Sequence, residues 1–304
     1  MRAIAKRFQG VSAFIITPTK NNGETIDIPA LKRFIDFQLE SGVHSITVFG
    51  STGGIGSFSE AEREEVIEAA VRHLNGRVPL IAGTGAIATS EAIRLSKFAA
   101  KAGAAACLVV PINYWKLTDD ELVAHYKQIA SSVDLPIGIY NNPGTTGIDM
   151  TPPLLARISE IDSIAFIKES APDVRRITAT LQRTRGEVGI MNGNDGAAAA
   201  ALAAGAHGWF AGSCSIMPHR CVEIFKAARV DGNTVRAREL FEPIYPICEF
   251  MSAKGYIRVA HVACELLGRP MGTPRSPIKM LTDADRITLR SLLENAGLLR
   301  AAAA

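Results

Sequence analysis

The 304-residue sequence lacks a hydrophobic run long enough to cross a membrane. Its longest apolar stretch, residues 102–112, falls far short of the ~20 residues that a membrane-spanning helix needs. The first eight residues carry positive charge but no apolar segment, so they do not resemble a secretory signal. We therefore predict a cytoplasmic protein that makes no contact with membranes.

Paired cysteines, paired histidines and excess charge are also missing. The five cysteines form no Cys-x-x-Cys pair, and their odd number favours reduced thiols over a disulfide framework. The six histidines show no metal-binding spacing, so we predict no metal site. Since 33 Lys and Arg residues offset 30 Asp and Glu residues, the net charge of +3 does not indicate a nucleic-acid partner.

Short apolar runs rich in Val and Ile alternate with amphipathic segments. Runs that are apolar on both faces are typical of buried parallel strands. Strands are predicted at residues 13–17, 45–49, 79–82, 106–110, 136–140, 164–167, 188–191 and 208–211. Helices are predicted at residues 27–40, 59–74, 90–102, 119–133, 151–158, 173–185, 196–204 and 218–228.

Eight strand–helix units at regular spacing favour a closed TIM (β/α)8 barrel over an open doubly wound α/β sheet. The barrel is predicted to occupy residues 1–230. Beyond it the strand patterns stop, and residues 231–304 are predicted to form a C-terminal helical domain. Its helices are expected at 233–251, 254–267 and 284–299, with a Pro- and Gly-rich linker at 268–277.

Lys168 is the most informative residue, because TIM-barrel active sites lie at the carboxyl ends of the strands. Strand alternation places Ile164, Phe166 and Lys168 on one face. If that face is the barrel interior, desolvation lowers the pKa of the lysine and makes its amine a nucleophile, suited to a Schiff base with a carbonyl substrate. The alternative is a lysine on the outer face or one paired with Glu169.

Two neighbouring strand ends also carry polar groups. Tyr140 ends the strand before Lys168, where its phenol is either a proton relay or an ordinary core hydroxyl. The glycine-rich segment 50–56 contains Ser51 and Thr52, whose hydroxyls and backbone N–H groups suit an anion. It lacks the spacing of nucleotide-binding loops, so a carboxylate is favoured. Farther along, Arg175 and Arg176 are interpreted as a solvated helix face.

Four motifs in order at these strand ends resemble the dihydrodipicolinate synthase / N-acetylneuraminate lyase family. They are Gly50-Ser51-Thr52-Gly53, Tyr140-Asn141-x-Pro143-x-x-x-Gly147, Ile167-Lys168-Glu169-Ser170 and Asn192-Gly193-x-Asp195. The resemblance covers nearly the whole chain. It implies a TIM barrel with C-terminal helices and a class I lyase that binds pyruvate or another 2-oxo acid as a covalent lysine imine, without other cofactor. It also implies a homotetramer built as a dimer of dimers.

The resemblance assigns roles residue by residue. Lys168 would form the imine, and Tyr140 would shuttle protons together with Ser51. Tyr114 would be the second tyrosine, which in synthase members reaches into the neighbouring subunit's site. The substrate-binding residues implied are Ser51, Thr52, Gly53, Gly193, Asn194 and, beside the bound pyruvate, Phe210.

Three positions depart from the family's patterns. Thr145 stands where synthases that take aspartate semialdehyde carry an arginine for its carboxylate, and a threonine cannot supply that cationic fork. Gly54 and Gly196 stand where many members, or the sialate lyases, carry glutamate. We therefore expect an intact pyruvate-binding half and an altered aldehyde-binding half.

The leading hypothesis is accordingly an aldolase or lyase that uses a different small aldehyde. Three alternatives stay open: a 2-keto-3-deoxy sugar acid dehydratase or aldolase, a genuine 4-hydroxy-tetrahydrodipicolinate synthase, and a regulatory relative that binds a 2-oxo acid without catalysis.

Overall fold

A computed structural model describes residues 1–299, and its centre is a closed barrel of eight parallel strands. Strands follow one another around the barrel in chain order, and β1 pairs with both β2 and β8 to close it. The predicted barrel is confirmed. The strands are β1 (Gly10–Phe14), β2 (Ser45–Val48), β3 (Leu80–Gly83), β4 (Ala106–Val109), β5 (Ile137–Asn141), β6 (Ile164–Glu169), β7 (Gly189–Asn192) and β8 (Gly208–Ala211).

A helix follows each strand and covers the outside of the barrel. Glu60–Leu74 begins with a complete capping box between Ser59 and Glu62, the arrangement that a Ser-x-x-Glu sequence favours. The barrel helices are α1 (Ile28–Glu40), α2 (Glu60–Leu74), α3 (Thr89–Ala102), α4 (Asp119–Ala130), α5 (Pro152–Ser159), α6 (Arg175–Arg183), α7 (Ala198–Ala203) and α8 (Pro218–Phe225).

The first strand lies three residues earlier than the predicted 13–17. The prediction relied on a run of apolar residues, and the polar Ser12 interrupts that run near the start of the strand. Its hydroxyl is buried in the barrel and lies 2.8 Å from the Thr47 hydroxyl, so the barrel satisfies its hydrogen bond internally. Strand β6 extends past the predicted 167 to Glu169, which places Lys168 within the sheet ladder.

As far as residue 299, four helices follow the barrel: α9 (Thr234–Phe241), α10 (Tyr245–Lys254), α11 (Tyr256–Leu266) and α12 (Asp283–Asn295). The single helix predicted at 233–251 is wrong. Pro243 and Pro246 lack the N–H that a helix interior needs, and the chain turns between α9 and α10. Helix α9 packs on α7 and α8, whereas α11 packs on the turn after β8. The division into two domains at residue 230 stays a prediction.

The Pro- and Gly-rich segment at 268–277 is not a free linker. It lies across a short hairpin, Thr19–Lys20 with Thr25–Ile26, which was not predicted from the sequence. The Thr19 amide donates to the Met271 carbonyl at 3.0 Å, and Arg275 donates to the carbonyls of Gly23 and Glu24. No helix within residues 1–299 is long and apolar enough to span a bilayer.

Candidate active site

A cavity of about 490 Å³ opens at the carboxyl ends of the strands, and Lys168 lies in its wall. The side chain points into the barrel interior, as strand alternation predicted, and is buried. Its Nζ lies 3.6 Å from the centroid of the Phe14 ring and 3.8 Å from that of Tyr140. Burial lowers the pKa of Lys168, because the charged ammonium has lost its water. A larger fraction of the amine is therefore in the neutral, nucleophilic form.

The adjacent Glu169 does not neutralise this lysine. It points to the other side of β6, where its Oε2 accepts from Arg176 Nε at 3.0 Å and its Oε1 from Asn141 Nδ2 at 2.9 Å. The outer-face and Glu169-paired alternatives for Lys168 are therefore wrong. The solvated-face interpretation of Arg176 is also wrong, since its side chain is 13% exposed and also donates to Asp149.

Three polar side chains meet above the lysine. The Tyr140 hydroxyl lies 3.3 Å from Ser51 Oγ, and Asn142 Nδ2 donates to Tyr140 at 2.9 Å and to Ser51 at 3.2 Å. Tyr140 pairs directly with Lys168 in the register of β5 and β6. The Tyr140 and Ser51 hydroxyls can therefore exchange a proton, and the ring of the same Tyr140 contacts the lysine amine.

The loop after β2 brings Ser51 and Thr52 to the cavity. Phe49 adopts a φ of 55°, a strained value for a bulky residue, and turns the chain sharply out of the strand. Gly50 is required here, because a Cβ would lie 2.3 Å from the Phe14 ring. Gly53 lies behind the cavity wall, where its carbonyl accepts from the Thr17 hydroxyl at 2.8 Å.

The loop after β7 closes the side of the cavity next to the lysine. Gly193 and Asn194 both line it, and a Cβ on Gly193 would lie 2.6 Å from Lys168 Cε. Asp195 turns away into the core, accepting from Trp209 Nε1 at 2.7 Å and from the Ser213 amide at 2.9 Å. Burial raises the pKa of Asp195 to about 6.

Three predicted site residues do not line this cavity: Gly53, Phe210 and Tyr114. Phe210 is fully buried inside the barrel, with its ring centroid 5.6 Å from that of Phe14 and 5.3 Å from that of Phe166. Tyr114 is 83% exposed on the loop after β4 and packs edge-on against Trp115, which is 72% exposed. Phe210 therefore supports the floor of the site through Phe14, and Tyr114 faces outward from this chain.

Several residues of the cavity wall were not predicted from the sequence. Asn142 occupies a variable position of the tyrosine motif, and only its hydrogen bonds reveal it. Tyr256, Ile257 and Arg258 come from the start of α11, which carried no motif. Within residues 1–299, no group of three or more His, Cys, Asp or Glu side chains is arranged to hold a metal ion.

A closed parallel barrel with a buried amine at its mouth defines a TIM-barrel enzyme suited to carbonyl substrates. Residues 7–296 match the model of the dihydrodipicolinate synthetase family. The chain is 37% identical to the 4-hydroxy-tetrahydrodipicolinate synthase of Rhodospirillum centenum, over 96% of this chain and 99% of that protein.

Solved structures agree with this match. Dihydrodipicolinate synthase from Aquifex aeolicus superposes with a TM-score of 0.91 at 32% identity, covering 97% of this chain and 100% of that one. YagE, a prophage protein of the same family from E. coli K12 solved with pyruvate, gives 0.91 at 28% identity, covering 96% and 99%. The chain belongs to the dihydrodipicolinate synthetase family. It is a lyase of the aldolase type, from a family that uses a covalent lysine–pyruvate Schiff base and no external cofactor.

Proposed function

We propose that Lys168 forms the Schiff base with pyruvate or a closely related 2-oxo acid. The proposal is carried by one observation: the only lysine that lines the cavity within residues 1–299 is buried against two aromatic rings, and its pKa is lowered. The neutral amine adds to the C2 carbonyl of the 2-oxo acid, and loss of water gives the iminium. A proton then leaves C3, and the resulting enamine is the carbon nucleophile.

Tyr140, Ser51 and Asn142 handle the protons of this sequence. Asn142 donates to both hydroxyl oxygens, so the Tyr140 proton stays free to be delivered to the carbinolamine oxygen as water leaves. Thr52 and the backbone of the loop after β2 hold the carboxylate of the 2-oxo acid. In the synthetic direction C3 attacks an aldehyde carbon, the aldehyde oxygen takes up a proton, and water then releases Lys168.

We propose that the aldehyde partner is not aspartate semialdehyde. Thr145 lines the cavity, and the family resemblance implies that the aspartate-semialdehyde enzymes carry arginine at this position. Gly54 stands where many members carry glutamate, and Gly196 stands where the sialate lyases carry it. The competing hypothesis is a genuine 4-hydroxy-tetrahydrodipicolinate synthase, favoured by the name of the relative that is 37% identical. Dehydration of a 2-keto-3-deoxy sugar acid would use the same lysine and is the third candidate.

Assembly and location are part of the same proposal. A homotetramer built as a dimer of dimers would cover the exposed aromatic pair of Tyr114 and Trp115 and bring Tyr114 to a neighbouring cavity. Within the described chain all five cysteines are buried free thiols, which agrees with a reducing cytoplasm.

Borohydride reduction in the presence of pyruvate, followed by peptide mass spectrometry, tests the chemistry. The expected result is an adduct on Lys168 in the wild type and none in Lys168→Ala. Lys254→Ala is the matched control, because Lys254 is exposed and bonded to Asp285 at 2.8 Å, outside the cavity. An adduct on another lysine, or no adduct, would overturn the mechanism.

A panel of substrates tests the identity of the aldehyde that reacts with pyruvate. Pyruvate release is measured from a series of 4-hydroxy-2-oxo acids, alongside condensation of pyruvate with aspartate semialdehyde. Cleavage of several 4-hydroxy-2-oxo acids with little condensation is the expected outcome. Condensation with aspartate semialdehyde at a rate above all the cleavages would overturn the altered-partner proposal and leave the Schiff base intact.

A further inference from the structure

The cavity wall is lined by basic side chains and, within residues 1–299, by no Asp or Glu. Of the 18 residues that line it in this described part of the chain, only Lys168 and Arg258 have ionisable basic side chains. A wall that carries positive charge and no negative charge attracts anionic groups. The proposed function assigns Lys168 to the imine and the carboxylate of the 2-oxo acid to Thr52 and the backbone of the loop after β2. Arg258 is therefore left without an assigned partner.

Arg258 is free to bind a ligand. Within residues 1–299 its guanidinium forms no hydrogen bond or ion pair, although the side chain is partly buried. The neighbouring acid, Asp285, is bonded to other groups: Lys254 binds one carboxylate oxygen at 2.8 Å, and the Thr282 hydroxyl donates to the other at 3.0 Å. An arginine that offers five N–H donors in a partly desolvated wall suits a carboxylate or a phosphate.

The position of Arg258 in its helix is unfavourable unless an anion binds there. It is the third residue of α11, whose first turn contains no acidic residue and whose capping residue, Gly255, provides no side-chain cap. A cation in the first turn opposes the helix dipole, where negative charge is preferred. Departures of this kind from local preference are expected at functional sites.

Thr145 and Arg258 line the same cavity. Family resemblance places at position 145 the arginine that would bind the second substrate's carboxylate, and here that position has no charge. We propose that Arg258 is the specificity-determining residue for the second substrate, and that this substrate is an aldehyde carrying a carboxylate or a phosphate. The inference rests on the proposed Schiff-base function, which it deepens.

Matched pairs of cleavage substrates test the proposal. The first pair is 4-hydroxy-2-oxoglutarate and the neutral-ended 4-hydroxy-2-oxopentanoate; the second is 2-keto-3-deoxygluconate with and without its 6-phosphate. For each pair, pyruvate release gives the ratio of kcat/KM for the anionic member to that for the neutral one. We expect a ratio of at least ~10 in the pair with the correct anion, because hydrogen bonds to a charged group are among the stronger ones.

Arg258→Gln should lower that ratio about 10- to 100-fold, and Arg258→Lys should restore part of it. Lys226→Gln removes an exposed cation outside the cavity and should leave the ratio unchanged. The inference would be overturned if the wild-type ratio were near 1 in both pairs. It would also be overturned if Arg258→Gln lowered kcat/KM equally for the anionic and the neutral substrate.

Borohydride trapping of pyruvate separates this failure from failure of the function. Trapping on Lys168 with no anionic preference would refute the role of Arg258 alone, whereas absence of trapping would refute the Schiff-base function itself. Condensation with aspartate semialdehyde that depends on Arg258 would support the inference and overturn the altered-partner proposal.

Discussion

Lys168 and Tyr140 lie opposite each other on neighbouring strands, with the lysine Nζ 3.8 Å from the centroid of the tyrosine ring. The aromatic face offers a buried ammonium only a weak substitute for water. The folded barrel therefore holds this amine at a cost in stability that an apolar residue would avoid. Such a cost is common where activity requires a strained or desolvated group.

Lys168→Met should accordingly stabilise the protein at pH 7 by about 0.5–2 kcal/mol, the range typical of such stability–activity exchanges. Because the pKa of Lys168 is lower in the folded chain, the unfolded chain binds more protons between that pKa and 10.5. The free energy of unfolding of the wild type therefore rises with pH in this interval. The extra stability of Lys168→Met should consequently shrink toward pH 10.5. Urea denaturation at several pH values measures this difference in stability. If Lys168→Met is not more stable than the wild type, or if the difference does not change with pH, the lowered pKa of Lys168 is contradicted.

Tyr140→Phe should lower kcat about 10²- to 10⁴-fold, the usual contribution of a positioned proton-transfer group. The ring that packs on Lys168 remains, while the hydroxyl bonded to Ser51 and Asn142 is lost. The matched control is Tyr126→Phe. That hydroxyl is also buried but donates to the Val109 carbonyl at 2.8 Å, outside the cavity, so its loss should affect stability and spare kcat. Equal losses of kcat in the two variants would argue against a proton-shuttling Tyr140.

The parts of this site that could be predicted from sequence are those set by local pattern. Lys168 and Tyr140 end strands whose two-residue alternation fixes which side chains face inward, and the barrel places adjacent strand ends together. The loop containing Ser51 and Thr52 was found from its glycines.

The remaining residues depend on tertiary packing. Arg258 reaches the cavity only because α11 folds back onto the turn after β8, and no pattern within α11 encodes that contact. Arg175 and Arg176 are adjacent and no local pattern distinguishes them. Arg175 is exposed, whereas Arg176 points inward and forms an ion pair with the buried Glu169. Ser12 was misplaced for the same reason, since its partner, Thr47, is 35 residues away.

Gly193→Ala should slow imine formation with pyruvate by about tenfold or more. The new Cβ would lie 2.6 Å from Lys168 Cε and 2.1 Å from Ser170 Oγ, so the lysine must move. Displacements of this kind typically cost ~1–3 kcal/mol. Gly196→Ala is the control, because its nearest neighbour would be Asn194 Oδ1 at 3.6 Å. The rate of borohydride trapping distinguishes the two, and similar rates would show that Lys168 tolerates the displacement.

Arg176→Ala should destabilise the protein by about 3–5 kcal/mol at pH 7, because it leaves the buried carboxylate of Glu169 without its cation. Arg175→Ala provides a control one residue away: Arg175 is 90% exposed and bonded to Asp173, and its loss should cost no more than about 1 kcal/mol. Burial already raises the pKa of Glu169, and removing Arg176 raises it further.

The folded variant therefore binds more protons than the unfolded chain at pH values between 4.5 and the raised pKa of Glu169, and its free energy of unfolding falls as pH rises through that interval. The deficit of Arg176→Ala relative to the wild type should consequently shrink as the pH is lowered from 7 toward 5. Chemical denaturation at these pH values checks this. If the Arg175 and Arg176 variants lose the same stability, or the Arg176 deficit grows at low pH, Arg176 does not stabilise the buried carboxylate of Glu169.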